Sequence, residues 1–299
     1  MSKIYVPLPS KENIPLYLEQ IFDGFVIGLE GFSTNFNNLV KLSDIKDIIN
    51  DLKKYDKKIF ISFDRLYYNS EISEVKDALI YLNDIKVDGI SFTDIGVLNI
   101  LREIEFKGNI LWDSNHLGTN SDTINFLEKR GVNYALLSTE ISKDEIINIK
   151  NKTNINIGVK LYGFLNMATS SRKLLTNYFL YTNKEKDNNK YIIKDKIKDN
   201  DYIVVEEKNT NFYTGKVLNG IKFFPELIKN NIDFIFLDDY MIDERKFYNV
   251  IEAFSSLRNA YDDKDFVSKL EEVVNVNTDY EVFNGFLDKE TVYKVEDYE

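Results

Sequence analysis

Apolar residues in this chain fall into two alternating rhythms. Short apolar or every-second-residue runs, suited to strands, alternate with stretches in which apolar side chains return every three or four residues, as on one face of a helix. Residues 3–8 read as a first strand and 14–21 as the helix after it. GFVIGL at 24–29 and KIFISF at 58–63 are strand-length apolar runs, and 88–92, 109–112 and 133–137 repeat the pattern. Helices are predicted between them at 43–52, 73–85, 94–104, 121–130 and 142–150. Ile45, Ile48, Ile49 and Leu52 share one helical face, as do Val75, Ala78, Leu79 and Leu82. Ser43 and Asp94 stand as N-caps, and Ser142 with Glu145 has capping-box spacing. In a seventh strand Ile155, Ile157, Val159 and Leu161 alternate with Asn156, Gly158 and Lys160. That strand is expected to end at Tyr162-Gly163 in a polar loop and then a short helix carrying Arg172 and Lys173. IDFIFL at 232–237 is the eighth strand, before a long helix at 243–261.

Each connection is long enough for a helix, which implies parallel strands covered by helices. Eight such units predict a (β/α)8 barrel of the TIM type; an open doubly wound sheet is the alternative. Residues 183–200 are rich in Asn, Lys and Asp and break the pattern, whereas 202–206 and 211–214 alternate like a hairpin. Residues 181–214 therefore read as a small β insertion after the seventh strand, beside the barrel mouth, with 216–218 returning to the barrel and a helix at 225–229. The expected organisation is a barrel over 1–261 and a helical or extended tail over 262–299, with a helix near 266–274.

The chain has 299 residues, 43% of them hydrophobic, enough for a large core. Its net charge is −11, from 49 acidic and 38 basic residues, which argues against a protein that coats nucleic acid but not against a local basic patch. The absence of cysteine excludes disulfides, thiolate zinc sites, cysteine nucleophiles and a cysteine-held iron–sulfur cluster made by this chain. No apolar run is long enough for a signal peptide or membrane span, so a cytoplasmic protein without a membrane partner is expected.

A barrel gathers its site at the C-terminal ends of its strands. Those positions hold Glu30, Asp64, Asp94, Asp113, Glu140 and the pair Asp238-Asp239. Asp94 is explained by capping, whereas Glu30 and Asp113 begin loops. His116, the single histidine, follows the fifth strand and is the residue type suited to proton transfer near neutral pH. Glu30, Asp113, His116 and Glu140 are the catalytic candidates, and Glu30, Asp113, His116 and Arg172 are expected to converge on one cavity. Clustered carboxylates can move protons or hold a divalent metal, and this spacing selects neither. Tyr67 can stack on a ligand, Arg172 has the fork that suits carboxylate or phosphate, and Asp64 and Asn120 complete a binding set. No Gly-x-Ser-x-Gly elbow, HExxH or phosphate loop is present.

The stretch YGFLNMATSSRKLL at 162–175 resembles the signature of the collagenase-like peptidase U32 family, roughly His-Gly-x-x-Cys-x-x-x-Ser-x-Arg-Cys-Leu-Leu. Gly163, Ser170, Arg172, Leu174 and Leu175 fit it. Tyr162 stands in place of the histidine, and Asn166 and Lys173 stand in place of cysteines. GLEGFS, DIGVLNILRE, LSTEIS and the C-terminal NGFLDKETVY at 284–293 extend the resemblance over nearly the whole chain. It implies a barrel, a binding role for Tyr162, Asn166, Ser170 and Arg172, and a place in the short Gram-positive subgroup. That subgroup is similar to proteins implicated in prephenate-dependent hydroxylation of the tRNA wobble uridine. Lacking the cluster cysteines, such a chain is expected to act beside a longer, cysteine-bearing paralogue, with tRNA as a further partner. The alternatives are a U32-type peptidase using mouth carboxylates and a non-catalytic binding module.

Overall fold

The computed structural model describes residues 1–195 and 200–289. Eight parallel strands close into a ring: Lys3–Pro7, Gly24–Leu29, Lys58–Phe63, Gly89–Phe92, Asn109–Asp113, Tyr134–Leu136, Asn156–Ser170 and Phe234–Leu237. Strand eight completes the ring, pairing Phe234 with Lys3 on one side and with Gly158 on the other. The predicted barrel is therefore what forms, and the open sheet is not.

Alternation along each strand sorts its side chains into two sets. In strand three, Ile59, Ile61 and Phe63 point outward into the large core beneath the helices, while Phe60 points inward. The inward set forms a floor. Tyr5, Phe60, Tyr134 and Phe234 make a closed circuit of rings with centroids 5.4–5.8 Å apart. The next inward residues toward the mouth include Ser62 and Ser91, too small to fill the barrel, so a cavity opens above the aromatic floor.

Strand seven is fifteen residues long, and its second half differs from the expectation. Instead of breaking into a loop at Tyr162-Gly163, the chain bends and continues as strand to Ser170. Gly163 makes the bend, with φ +117°, and a Cβ there would lie 2.7 Å from the Asp238 carbonyl oxygen. Only glycine fits that conformation and that approach to strand eight. Beyond it, Phe164–Ser170 finds an antiparallel partner in Thr210–Asn219, which is why no loop forms. Residues 216–218, expected to return the chain to the barrel, belong to this partner strand. Asn200–Glu206 and Lys190–Asp195 extend the antiparallel sheet outward. The insertion is thus a wall rising from the barrel mouth, and the helix expected to carry Arg172 and Lys173 begins after them, at Leu174–Tyr181.

After the long helix Glu244–Asn259, helix Lys264–Val276 buries Leu270 and Val274 in the main core. Val282–Phe283 then pairs in parallel with Val217–Leu218. Of the C-terminal segment 284–293, residues from 290 onward lie outside the described residues. Among the described residues, no helix is long and apolar enough to cross a membrane.

Candidate functional site

The cavity above the floor holds about 830 Å³ counted out to solvent. Its walls are mixed. Phe36, Leu111, Leu136 and Phe236 supply apolar surface, and Asp64, Asp113, Lys160 and Asp238 bring four charges together at the mouth. Lys160 follows from strand parity. With Ile157, Val159 and Leu161 facing the helices, Gly158 and Lys160 must face the interior. Its ammonium donates to Asp238 Oδ2 at 2.6 Å and to the Phe164 carbonyl at 2.6 Å. Both side chains of this pair are largely buried, at 13% and 8% exposure.

Asp64 is held by the loop after strand two. It accepts from the Thr34 N–H at 2.8 Å, the Asn35 N–H at 3.1 Å and the Asn35 side-chain amide at 2.7 Å. Burial pushes its pKa up to about 6; the Asn35 and Thr34 donors oppose the rise, and the Asp113 charge adds to it. Asp113 is also raised, first by burial and further by Asp238, with the Asn115 N–H, Lys160 and His116 opposing. That Asn115 amide lies 3.3 Å from Asp113 Oδ1, on a residue with φ +58°, a left-handed conformation that asparagine tolerates. The wall closes the site from above. Tyr213 donates its hydroxyl to Asn35 Oδ1 and lines the cavity together with Asn166.

The predicted site residues do not all meet here. Asp64, Asp113 and Asn166 line the cavity. His116 and Glu140 pair with each other, Nδ1 to Oε1 at 3.3 Å, outside its lining. His116 Nε2 is buried without a partner, and no hydroxyl or amine among the described residues is hydrogen-bonded to the ring. Glu30 is separate: its N–H bonds the Val40 carbonyl, the chain turns at Gly31, and the side chain lines an outer groove with Val40 and Ile48. The expected convergence of Glu30, Asp113, His116 and Arg172 on one cavity is therefore not found; of the four, Asp113 alone lines it. Tyr67 packs inward and donates to the Phe32 carbonyl at 2.7 Å. Asn120 caps helix Ser121–Glu128 through the Thr123 N–H at 2.9 Å. Tyr162 is fully buried against Phe247, on the helix side of the barrel. Ser170 accepts from the Arg172 N–H at 3.2 Å, and the Arg172 side chain is exposed at the edge of the wall.

Sequence reasoning missed Lys160, Asn35 and Tyr213. Parity was a usable signal for Lys160. Asn35 and Tyr213 reach the cavity through a loop and a hairpin whose courses no local pattern announces.

Peptidase family U32 matches this sequence over residues 10–296. The chain belongs to that family. Among its relatives, tRNA hydroxylation protein P2 of Bacillus subtilis is 26% identical over 97% of this chain and 98% of its own length. The tRNA hydroxylation protein P1 of the same organism is 24% identical over 59% of this chain, but that match spans 42% of P1. Dihydrodipicolinate synthase from Aquifex aeolicus shares the fold, with a TM-score of 0.50, 10% identity, and coverage of 92% of this chain and 82% of that one. This U32 chain has no cysteine, so it offers no donor set for a cysteine-held iron–sulfur cluster. Among the described residues, no group of three or more His, Asp or Glu side chains is arranged to hold a metal.

One more carboxylate sits beside this U32 site. Asp239 is fully buried, and neither of its oxygens has a hydrogen-bond partner among the described residues. Burial, followed by the charges of Asp238 and Glu244, raises its pKa well above the usual carboxylate range. Because the folded value exceeds the unfolded one, the fold binds the extra proton. Stability is then lost as pH climbs from the unfolded carboxylate range toward the folded value, a falling slope of stability against pH. Asp239→Asn is expected to remove that slope and to be more stable than the parent near neutral pH. Urea melts between about pH 5 and 7 measure it, and parallel stability–pH curves for the two proteins would refute it.

Proposed function

We propose that this protein is a cluster-less component of tRNA wobble-uridine hydroxylation, acting in the cytoplasm beside a cysteine-bearing relative. The observation that carries this reading is the end-to-end match to tRNA hydroxylation protein P2, covering 97% of this chain and 98% of that protein. The cavity is chemically suited to such a role. A pyrimidine base can lie against Phe36 and Phe236, offer its imide N–H to a carboxylate, and accept from the amide groups of Asn115 or Asn166. The absence of cysteine supports the division of labour: this chain binds and positions, and redox chemistry belongs to the partner.

Deleting the gene is expected to abolish 5-hydroxyuridine-derived nucleosides in bulk tRNA, measured by nucleoside mass spectrometry, with recovery on re-expression. Unchanged nucleosides in the deletion strain would overturn the proposal.

A further inference from the structure

We infer that the outer edge of the insertion wall is a phosphate-binding edge. It would hold the RNA backbone next to a base placed in the barrel cavity. This rests on the reading that RNA is the partner, and it names where the strand runs.

Three cations meet at this edge although they are distant in sequence. Arg172 and Lys173 follow the end of strand seven, where Ser170 pairs with Thr210. The Thr210 hydroxyl donates to the Arg172 carbonyl at 2.7 Å and accepts from the Leu174 N–H at 3.1 Å, which fastens the two chain segments together. Lys208 lies two residues before Thr210, at the hairpin tip, with its ammonium reaching toward Gly31 in the loop after strand two. All three side chains are exposed. None of them belongs to an ion pair among the described residues, whereas nearby Lys186 and Lys160 are matched to Glu206 and Asp238. The acidic neighbours are Glu207, beside Lys173, and Glu71, which feels the Lys208 charge but is already paired with Arg65, so positive charge is in excess there. On a chain of net charge −11, this is a local reversal of sign.

The edge is connected to the cavity by a polar track. Thr169 donates to Asn211 Oδ1 at 2.8 Å, the Asn211 amide reaches Asn35 Oδ1 at 3.5 Å, and Asn35 holds Asp64. Thr210 stands three residues along the strand from Tyr213, which lines the cavity, so the edge is about 10 Å from the mouth. That separation suits the phosphates flanking a base turned into the barrel. The bland alternative, cations that only solubilise the surface, would not require them to cluster at the end of the track.

The test compares two sets of substitutions with equal charge change. The first is Arg172→Gln, Lys173→Gln and Lys208→Gln together. The second, at the opposite end of the barrel, is Lys54→Gln, Lys107→Gln and Lys129→Gln, all exposed. Binding of an RNA hairpin with a tRNA anticodon-arm sequence is measured by fluorescence anisotropy at several salt concentrations. The first variant is expected to bind about tenfold more weakly, with a salt slope shallower by about 2, at roughly 0.7 per lost phosphate contact. The second is expected to match the parent. Equal losses in both variants, or none in the first, would overturn the inference. Complementation of the deletion strain separates this result from the functional reading. Full nucleoside recovery by a first variant with unaltered binding removes the phosphate edge and leaves the hydroxylation role intact. A deletion strain with normal nucleosides removes the role and leaves the binding result to be judged by itself.

Discussion

Asp238→Ala is expected to destabilise the protein by about 3–5 kcal/mol, because it strands the Lys160 ammonium in a largely buried site with the Phe164 carbonyl as its one remaining acceptor. For a chain of this size that corresponds to a fall in Tm on the order of 10 °C. Asp238 also accepts from the Tyr240 N–H at 3.0 Å, so part of the loss belongs to the turn after strand eight. The double variant Lys160→Met, Asp238→Ala separates the two contributions. Removing both charges should restore most of the stability, since apolar replacement of a buried pair is often close to neutral. Differential scanning calorimetry of the parent, both single variants and the double variant completes the cycle. A double variant no more stable than Asp238→Ala would show that the ion pair is not what the cavity wall depends on.

The second large effect concerns the carboxylates. Asp64→Asn and Asp113→Asn are each expected to reduce tRNA hydroxylation by about 100-fold or more if the carboxylate moves a proton or accepts the substrate N–H. The pH profile distinguishes this from structural damage. Asp64 titrates at about 6, so the ionised form needed to accept a hydrogen bond is lost as pH falls through that value. Substrate binding by the parent should therefore rise with pH to a plateau above about 6, and Asp64→Asn should remove the step. Weaker binding at every pH with the step preserved would mean that Asp64 serves only to fix the Thr34–Asn35 loop.

The barrel was readable in the sequence because each strand carries its outward face as an uninterrupted apolar set and several helices have a marked start. Asp94 and Ser142 do cap their helices, accepting from Gly96 and Glu145. Ser43 does not; its hydroxyl donates to Asp44, and the helix begins at Ile45. The second half of strand seven was not readable because FLNMATS has neither the alternation nor the β-branched content of the other strands. Its strand character comes from the partner Thr210–Asn219, some forty residues later. The same cause hid part of the site. Asp64 and Asp113 are marked by their place at strand ends, whereas Tyr213 and Asn35 acquire a role only once the hairpin is laid across the mouth. Tyr162 shows the converse: the residue at the histidine position of the U32 signature turns away from the cavity, because strand seven slips register against strand eight between Lys160 and Tyr162.

The bend at Gly163 also bears on how anything enters or leaves the barrel. The wall over the mouth is strand seven itself, still bonded to its neighbours, so it has no free hinge on which to swing. Lifting it would mean unzipping backbone hydrogen bonds, a rare and slow event compared with loop motion. Any widening of the mouth is thereby left to the loops that line it, at Asn35, Phe36, Asn115 and Thr139.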